Sequence, residues 1–204
     1  MSQNWYESLN EYIKLGEPQK EEKTIAWQTA IGLQEVDGWS ISEYLLATAR
    51  ENIEGKITIR EANEKICSYY KERTDRKIYE LNTKEADIVS GRIAALLGEK
   101  TFSFSPAAWM FIHKYLFKGI FTHAGEIRDY NISKKEWVLN GKSVFYASYD
   151  SITMTLDYDF NNEKNFSYKN LNNNEAIKHL AKFTCDIWQI HPFCEGNTRS
   201  TAVF

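Results

Sequence analysis

Near the end of the chain, four side chains that can bind or transfer phosphate lie within nine residues, in the stretch HPFCEGNTR at 191–199. His191 has a reference pKa near neutrality and can take a proton from an incoming hydroxyl. A Gly196-Asn197 turn that feeds a helix presents backbone N–H groups at the positive end of the helix dipole, where phosphate binds. Arg199, in the first turn of that helix, can reach the same anion with its planar guanidinium.

A carboxylate completes this set of residues. Glu195 stands next to the expected phosphate site, and Mg²⁺ prefers one or two carboxylates together with phosphate oxygens. The residues together fit transfer of a phosphate-containing group from a magnesium-bound nucleotide to a hydroxyl. On spacing alone, however, a loop between two helices that carries a surface salt bridge is the favoured interpretation.

The elements that must position this loop are predicted to be helices, because only three prolines and ten glycines interrupt the chain. Residues 173–190 predict a helix before the loop, with one apolar face formed by Ile177, Leu180, Ala181, Thr184, Ile187 and Trp188. Ser105 and Pro106 give the start signal of another helix, which is apolar nearly all round and is expected at the centre of a bundle. The Asn-rich stretch 161–175 is interpreted as a loop and helix cap.

The N-terminal third predicts a small helical unit. Apolar spacing and caps indicate four helices there: 3–15, 20–36, one from Ser40 or Ser42 to Gly55, and one that Thr58 opens. The charged stretch 71–77 is interpreted as a joint, although a helix running through it fits equally well. We therefore predict a module at 1–75 and a main domain at 76–204, and we assign a helix that begins near residue 83 to the main domain.

One segment departs from the helical pattern. In EWVLNGKSVFYAS, residues 136–148, two short runs rich in Val, Phe and Tyr flank Asn140-Gly141, a pair that tolerates the positive φ angles of a tight turn. This pattern predicts a β-hairpin. Since a lone hairpin is marginal in water, it is either an excursion or a flap over a site.

Composition excludes several classes of protein. The net charge of −3 and a pI near 5.9 argue against a nucleic-acid-binding surface. No apolar run reaches the length of a membrane span, and the N-terminus lacks a signal-peptide pattern. Three cysteines at irregular spacing predict reduced thiols and a cytoplasmic location, and the spacing of the four histidines does not suggest a zinc site.

The stretch HPFCEGNTR resembles the active-site motif of the Fic family, His-x-Phe-x-(Asp/Glu)-Gly-Asn-x-Arg, at all six fixed positions. Residues 120–134, IFTHAGEIRDYNISK, resemble the family's segment before the flap, and residues 137–148 resemble the flap itself. The helical stretches EADIVSGRIAALL and FSFSPAAWMFIHKYLFKGIF resemble those that open the domain. The resemblance covers roughly 83–204 and implies an all-α Fic fold with one β-hairpin flap.

The resemblance implies a role for each motif residue. His191 is the expected general base, which deprotonates a Ser, Thr or Tyr hydroxyl of a target protein. The other implied roles are Mg²⁺ ligation by Glu195, an anion hole formed by Gly196 and Asn197, phosphate contact by Arg199, and anchoring of the loop in the core by Phe193. The implied reaction is AMPylation, the transfer of AMP from ATP to a protein hydroxyl.

Two further regions have roles implied by the resemblance. The hairpin 137–147 would align a target segment by strand addition through Val138, Leu139, Asn140, Gly141, Lys142, Ser143 and Val144. The helices of 20–73 resemble the small antitoxin-type module fused to some bacterial Fic proteins. Its inhibitory signature, Ser/Thr-x-x-x-Glu-Gly/Asn, occurs only in degraded forms, which make Glu35 and Asp37 the candidate inhibitory residues.

The motif departs from its commonest form at two positions. Thr198 stands where Gly is usual, and Ala202 stands where a second arginine normally contacts the outer phosphates. These departures leave open a UMP, GMP or phosphocholine donor, and also a non-catalytic nucleotide-binding module. Doc-like transfer of the γ-phosphate is a third alternative, against which the intact Gly196-Asn197 pair argues. The apolar ending at Val203-Phe204 leads us to expect a further helical segment.

Other polar residues of the main domain are interpreted as structural. His113 is expected in the core or at the boundary of its helix. His123 and Arg128 precede the predicted flap and are more typical of loop structure than of nucleotide binding. Cys194 occupies a variable position of the motif and is not expected to be a nucleophile.

Overall fold

The structure is a computed structural model and describes residues 5–72, 83–99, 101, 103–135, 140–141 and 143–204. These residues form nine α-helices and one two-stranded antiparallel sheet, which confirms the predicted all-α fold with a single hairpin. None of the helices in these ranges combines the length and the apolar character that crossing a membrane requires. The contacts divide the chain into two compact units, residues 1–102 and, apart from Val203, residues 103–204.

The first unit contains five helices: α1 Trp5–Lys14, α2 Pro18–Val36, α3 Glu43–Ile53, α4 Ile59–Glu72 and α5 Lys84–Leu97. Local signals explain where two of them start. The Ser42 side chain accepts a hydrogen bond from the Leu45 N–H at 3.1 Å and so caps α3. Before α4, Thr58 and Glu61 exchange hydrogen bonds in a capping box. The predicted helices of this region are therefore confirmed to within a few residues.

Helix α5 packs within the first unit. The Asn63 amide donates to the Gly91 carbonyl at 2.9 Å, and a Cβ atom on Gly91 would lie 2.7 Å from the Asn63 side chain, so α4 and α5 approach closely there. The fully buried Asp87 accepts hydrogen bonds from the Ser42 N–H and the Tyr70 hydroxyl. These contacts group α5 with the N-terminal helices, whereas the sequence pattern assigns it to the main domain. The boundary at 75/76 itself stays a prediction, since residues 73–82 lie outside the described ranges.

The second unit contains the predicted site. Its elements are α6 Pro106–Phe117, β1 Ser133–Lys135, β2 Ser143–Phe145, a 3-10 turn Tyr149–Ser151, α7 Ile152–Asn165, α8 Asn173–Ile190 and α9 Asn197–Val203. Ser105 caps α6 with Pro106 behind it, as predicted, and Asn172 and Glu175 form a capping box at α8. A cluster of buried side chains holds the unit together: Trp109, Ile152, Leu156, Phe160, Ile187, Ile190 and Phe193.

The interpretation of 161–175 as a loop and cap is wrong in its first part. Helix α7 continues to Asn165, and only residues 166–172 connect it to α8. Its buried residues Ile152, Leu156 and Phe160 recur every four residues, so one face of the helix packs into the core. The helix that this face stabilises also includes the polar Asn residues at its C-terminal end.

Two predicted helix faces are more exposed than expected. Helix α6 is not buried all round, because Phe111 on its outer side is 62% exposed. On α8, Ile187 and Ile190 are buried, but Ile177 is 63% exposed and Leu180 and Trp188 are also exposed. The apolar face of α8 is wider than the part of it that packs into the core. The periodicity of the apolar residues therefore predicted the helix but not which of these residues are buried.

The hairpin forms with a different register from the one predicted. A two-residue turn at Asn140-Gly141 would place Ser143 opposite Val138, whereas Ser143 pairs with Lys135 in the structure. Asn140 and Gly141 do adopt the expected positive φ angles, 54° and 77°. The described part of the first strand, Ser133–Lys135, lies before the predicted run, and residues 136–139 of that run lie outside the described residues.

Candidate active site

His191 ends α8 through its backbone conformation, and a hydrogen bond of its ring indicates which nitrogen carries the proton. With Pro192 following, the helix cannot continue, and His191 adopts left-handed angles of φ 54° and ψ 60°, which are uncommon for a residue with a side chain. Its Nδ1 lies 3.3 Å from the carbonyl oxygen of Trp188. Since a carbonyl only accepts hydrogen bonds, we assign the proton to Nδ1, which leaves the lone pair on Nε2.

Phe193 and Asn197 give the loop its shape. Phe193 is completely buried, with its ring stacked on that of His113 at 3.8 Å and edge-on to Trp109 at 5.6 Å. The Asn197 side chain accepts from the Phe193 N–H at 2.9 Å and donates to the Phe193 carbonyl at 2.8 Å. Both ends of this amide are therefore used to hold the loop in its shape.

Gly196 is the N-cap residue of α9 and has a φ of 73°. The first N–H groups of a helix have no carbonyl partner within that helix, so this end of α9 presents backbone donors. The predicted anion-binding residues thus lie at the start of a helix, as their order in the sequence indicates. Their role in binding a nucleotide stays a prediction.

The two charged residues of the motif differ in exposure. Arg199 is only 3% exposed, and its guanidinium carbon lies 4.8 Å from the centre of the Phe117 ring, a cation–π arrangement. Glu195 is exposed, and none of the described cationic side chains forms an ion pair with it. Near Glu195, the hydrogen bond with Cys194 and the charge of the Glu195 carboxylate raise the pKa of Tyr130.

The exposed carboxylate of Glu195 fits the predicted Mg²⁺. Among the described residues, no group of three or more His, Cys, Asp or Glu side chains could hold a metal by itself. Mg²⁺ needs no such group, because it keeps several waters and combines one or two carboxylates with phosphate oxygens. The donor set present is therefore the one expected for a metal that arrives with a nucleotide.

His113 supports the loop from below, a role that the sequence did not reveal. Its Nδ1 accepts from the Gly125 N–H at 2.8 Å, so its Nε2 carries the proton and donates to the Glu195 carbonyl at 2.9 Å. Burial is the main cause that lowers the pKa of His113 to about 4. The neutral ring therefore connects the segment before the hairpin to the motif. A histidine among the apolar residues of α6 was the only available signal.

The Arg128 side chain donates hydrogen bonds to backbone carbonyls of three separate segments: the motif loop, the chain before the hairpin and the chain after it. Its Nε donates to the His191 carbonyl at 2.8 Å, its Nη1 donates to the Tyr130 carbonyl at 2.7 Å, and its Nη2 donates to the Ala147 carbonyl. The Arg128 N–H also donates to the Pro192 carbonyl at 2.9 Å. The side chain is 2% exposed. Arg128 thus fixes the loop and the chain after the hairpin, in agreement with its interpretation as a structural residue.

The hairpin contributes one ring to the site. Tyr146, directly after β2, stacks on the imidazole of His191, with ring centres 4.0 Å apart and planes 18° apart. Of the predicted flap residues, Asn140 and Gly141 are exposed in the turn, and Ser143 and Val144 form β2. The other three, Val138, Leu139 and Lys142, lie outside the described residues.

The candidate inhibitory residues lie in the first unit. The Glu35 carboxylate accepts a hydrogen bond from the Trp5 indole at 2.6 Å, and Asp37 is the C-cap residue of α2. Both side chains are exposed. An inhibitory role for either of them stays a prediction.

Comparison with protein families assigns the second unit. A family model described as the Fic/DOC family matches residues 103–204, which is half of the chain and includes the hairpin and the whole motif. The chain belongs to the Fic/DOC family. Neither the search of curated proteins nor the search of solved structures gave a match.

The Fic/DOC match identifies an enzyme family that includes transferases. It does not extend over the first unit, so the resemblance of the N-terminal helices to an antitoxin-type module stays a prediction. The resemblance inferred from the motif is confirmed at the level of the family, and the residue-by-residue roles are the subject of the proposal below.

Proposed function

We propose that this Fic/DOC protein transfers AMP from magnesium-bound ATP to a Ser, Thr or Tyr hydroxyl of a target protein. The observation that carries the proposal is the hydrogen bond of the His191 ring together with the position of that ring in the loop. Its Nδ1 faces the Trp188 carbonyl, so the basic lone pair is on Nε2, and the ring stands at the start of a loop that ends in a helix N-terminus. A general base next to an anion-binding helix end is the combination that hydroxyl-to-phosphate transfer requires.

The proposed reaction balances without a further reactant. The hydroxyl oxygen of the target attacks the α-phosphorus of ATP and forms the new phosphoester bond. The bond from the α-phosphorus to the oxygen that bridges it to the β-phosphate breaks, and pyrophosphate leaves. The hydroxyl proton passes to Nε2 of His191. Backbone N–H groups at the start of α9 stabilise the negative charge of the phosphate during the transfer.

Glu195 is the residue that would hold Mg²⁺ in this proposal. When bound, the ion neutralises phosphate charge and orients the phosphate groups. The exposed Glu195 carboxylate supports this assignment, since no described cation competes for it. Its carbonyl, by contrast, accepts from His113, so the backbone of Glu195 is fixed while its side chain faces solvent.

The hairpin is the proposed docking element for the target. A target segment would add as a strand to the edge of the hairpin, where main-chain hydrogen bonds give affinity without requiring a particular side chain. Phe145 of β2 is 77% exposed and offers an apolar contact there. Because Tyr146 follows β2 and stacks on His191, a docked strand would lie close to the proposed base.

One observation favours a second candidate, a nucleotide-binding module without catalysis. Arg199 is almost completely buried and lies over the ring of Phe117, so its guanidinium must move or act at a distance to contact a phosphate. Ala202 also lacks the second cation that the commonest form of the motif supplies. These same features leave the donor open between ATP, UTP, GTP and a phosphocholine donor.

The experiment that tests the proposal follows the label of the donor. The full chain is incubated with Mg²⁺ and ATP that carries the label on either the α- or the γ-phosphate, in cell lysate, and the protein products are separated by gel. Label from the α-phosphate alone is the expected result. Label from the γ-phosphate instead would establish phosphotransfer. Binding of ATP by calorimetry without any transfer would support the non-catalytic module, unless unlabelled UTP, GTP or CDP-choline gives a modified protein by intact mass.

A further inference from the structure

The ring of Tyr146 covers one face of the proposed general base. The two ring centres are 4.0 Å apart and the planes differ by 18°, which is a stacked pair in direct contact. Tyr146 is half-buried and comes directly after β2. Tyr146 lies outside the motif, and the sequence pattern gave no sign of this contact.

A single guanidinium holds both partners of the stack. Arg128 donates from Nε to the carbonyl of His191, and from Nη2 to the carbonyl of Ala147, the residue after Tyr146. The backbone of His191 and that of the residue next to Tyr146 are therefore tied to the same buried side chain. With both backbones fixed, stacking leaves the imidazole few orientations about its Cβ–Cγ bond, a rotation that is otherwise broad for histidine.

We propose that Tyr146 is a positioning residue, which fixes the imidazole plane of His191 and couples the hairpin to proton transfer. The proposal rests on the proposed function, because it takes His191 as the base. The lone pair of Nε2 lies in the plane of the imidazole, so a hydroxyl must approach along the ring edge, and the stack fixes the direction in which that edge points. Since the same residue follows β2, a target strand paired with the hairpin is brought to that edge.

The proposal makes different demands on the ring and on the hydroxyl of Tyr146. Tyr146→Phe keeps the ring and the stack, whereas Tyr146→Leu removes the aromatic face and keeps apolar bulk. We expect Tyr146→Leu to lower kcat about 5- to 10-fold, because a misoriented base loses alignment with the attacking hydroxyl. The KM for ATP should stay within about twofold, since the nucleotide contacts lie elsewhere. Tyr146→Phe should restore kcat.

Two controls make this test specific. Tyr149→Leu, three residues further along, changes an exposed tyrosine of the same segment and should leave kcat unchanged. Thermal unfolding of each variant establishes that the fold is intact. A fall in kcat that Tyr146→Phe does not restore would overturn the proposal, since the ring alone would then not explain the effect.

A second measurement tests the stack without relying on activity. In the full chain labelled at its four histidines, the ring protons of His191 should be shifted upfield by the ring current of Tyr146, and the spectrum of His191→Ala identifies them. Tyr146→Leu should abolish the upfield shift, and Tyr146→Phe should keep it. An unchanged His191 signal in Tyr146→Leu would overturn the proposal even if the enzyme transfers AMP normally. A normal ring-current shift in a protein that transfers nothing would instead overturn the proposed function.

Discussion

A Cβ atom on Gly196 would lie 2.4 Å from the ring of Phe117, so the motif glycine is fixed by packing as well as by its backbone. The φ of 73° already disfavours any residue with a side chain. Phe117 in turn lies beneath the guanidinium of Arg199. The start of α9 is therefore pressed against α6, and the glycine is what permits this distance.

Gly196→Ala should be strongly destabilising. We expect a loss of about 2–4 kcal/mol, the sum of left-handed backbone strain and overpacking against Phe117. Urea unfolding of the full chain measures it. Gly141→Ala is the matched control, because Gly141 has a similar φ of 77° but no atom of the described residues lies within 4 Å of its Cβ position. If both variants lose the same stability, contact with Phe117 is not the cause.

The neutral state of His113 predicts a pH dependence of stability. Its folded pKa of about 4 lies below the unfolded value of 6.5, so the unfolded chain binds this proton first as the pH falls. The contribution of the neutral His113 to the free energy of unfolding is therefore fully present above pH 6.5 and is lost as the pH falls towards 4. Between pH 7 and pH 5 the contribution of His113 amounts to about 2 kcal/mol.

The comparison that isolates this effect uses His113→Gln. Glutamine is uncharged at both pH values and can in principle donate to the Glu195 carbonyl while accepting from the Gly125 N–H. The variant should lose less stability than the original chain between pH 7 and pH 5 in urea unfolding. An equal loss in both proteins would show that other groups cause the acid sensitivity.

Arg128→Lys should destabilise the protein in spite of its retained charge. An ammonium group cannot reproduce the planar set of donors that reaches the carbonyls of His191, Tyr130 and Ala147. We expect a loss of about 2–4 kcal/mol, because buried acceptors of charge-assisted hydrogen bonds are left without donors. Thermal unfolding checks it, with Arg60→Lys as the control at an exposed position. Similar melting temperatures for the two variants would contradict the role assigned to Arg128.

Local signals predicted most helices well. Ser42, Ser105 and Asn172 cap their helices in the structure because a short polar side chain satisfies N–H groups that no helix satisfies for itself. Such signals act over three or four residues and can be recognised in a single sequence. Helix α7 was missed because its apolar residues are widely spaced among Asn and Asp residues, which favour turns when considered locally.

The parts of the site that could not be predicted depend on contacts distant in the sequence. Arg128 reaches His191 across 63 residues, and His113 reaches Glu195 across 82. The sequence around Arg128 and around His113 contains no pattern that predicts these partners. The register of the hairpin failed for a related reason, since Asn140-Gly141 indicates a turn but does not fix its length. The motif was recognised from residue types, and the side chains that support it were recognised only from the fold.

The central claim is that Nε2 of His191 is the base that takes the hydroxyl proton. It is tested most directly by comparing His191→Ala with the original chain in transfer of α-phosphate label from ATP and, in parallel, in ATP binding by calorimetry. We predict that transfer falls about 10²- to 10⁴-fold while the affinity for ATP changes little, as expected for loss of a general base. Transfer that persists at the original rate in His191→Ala would contradict the account.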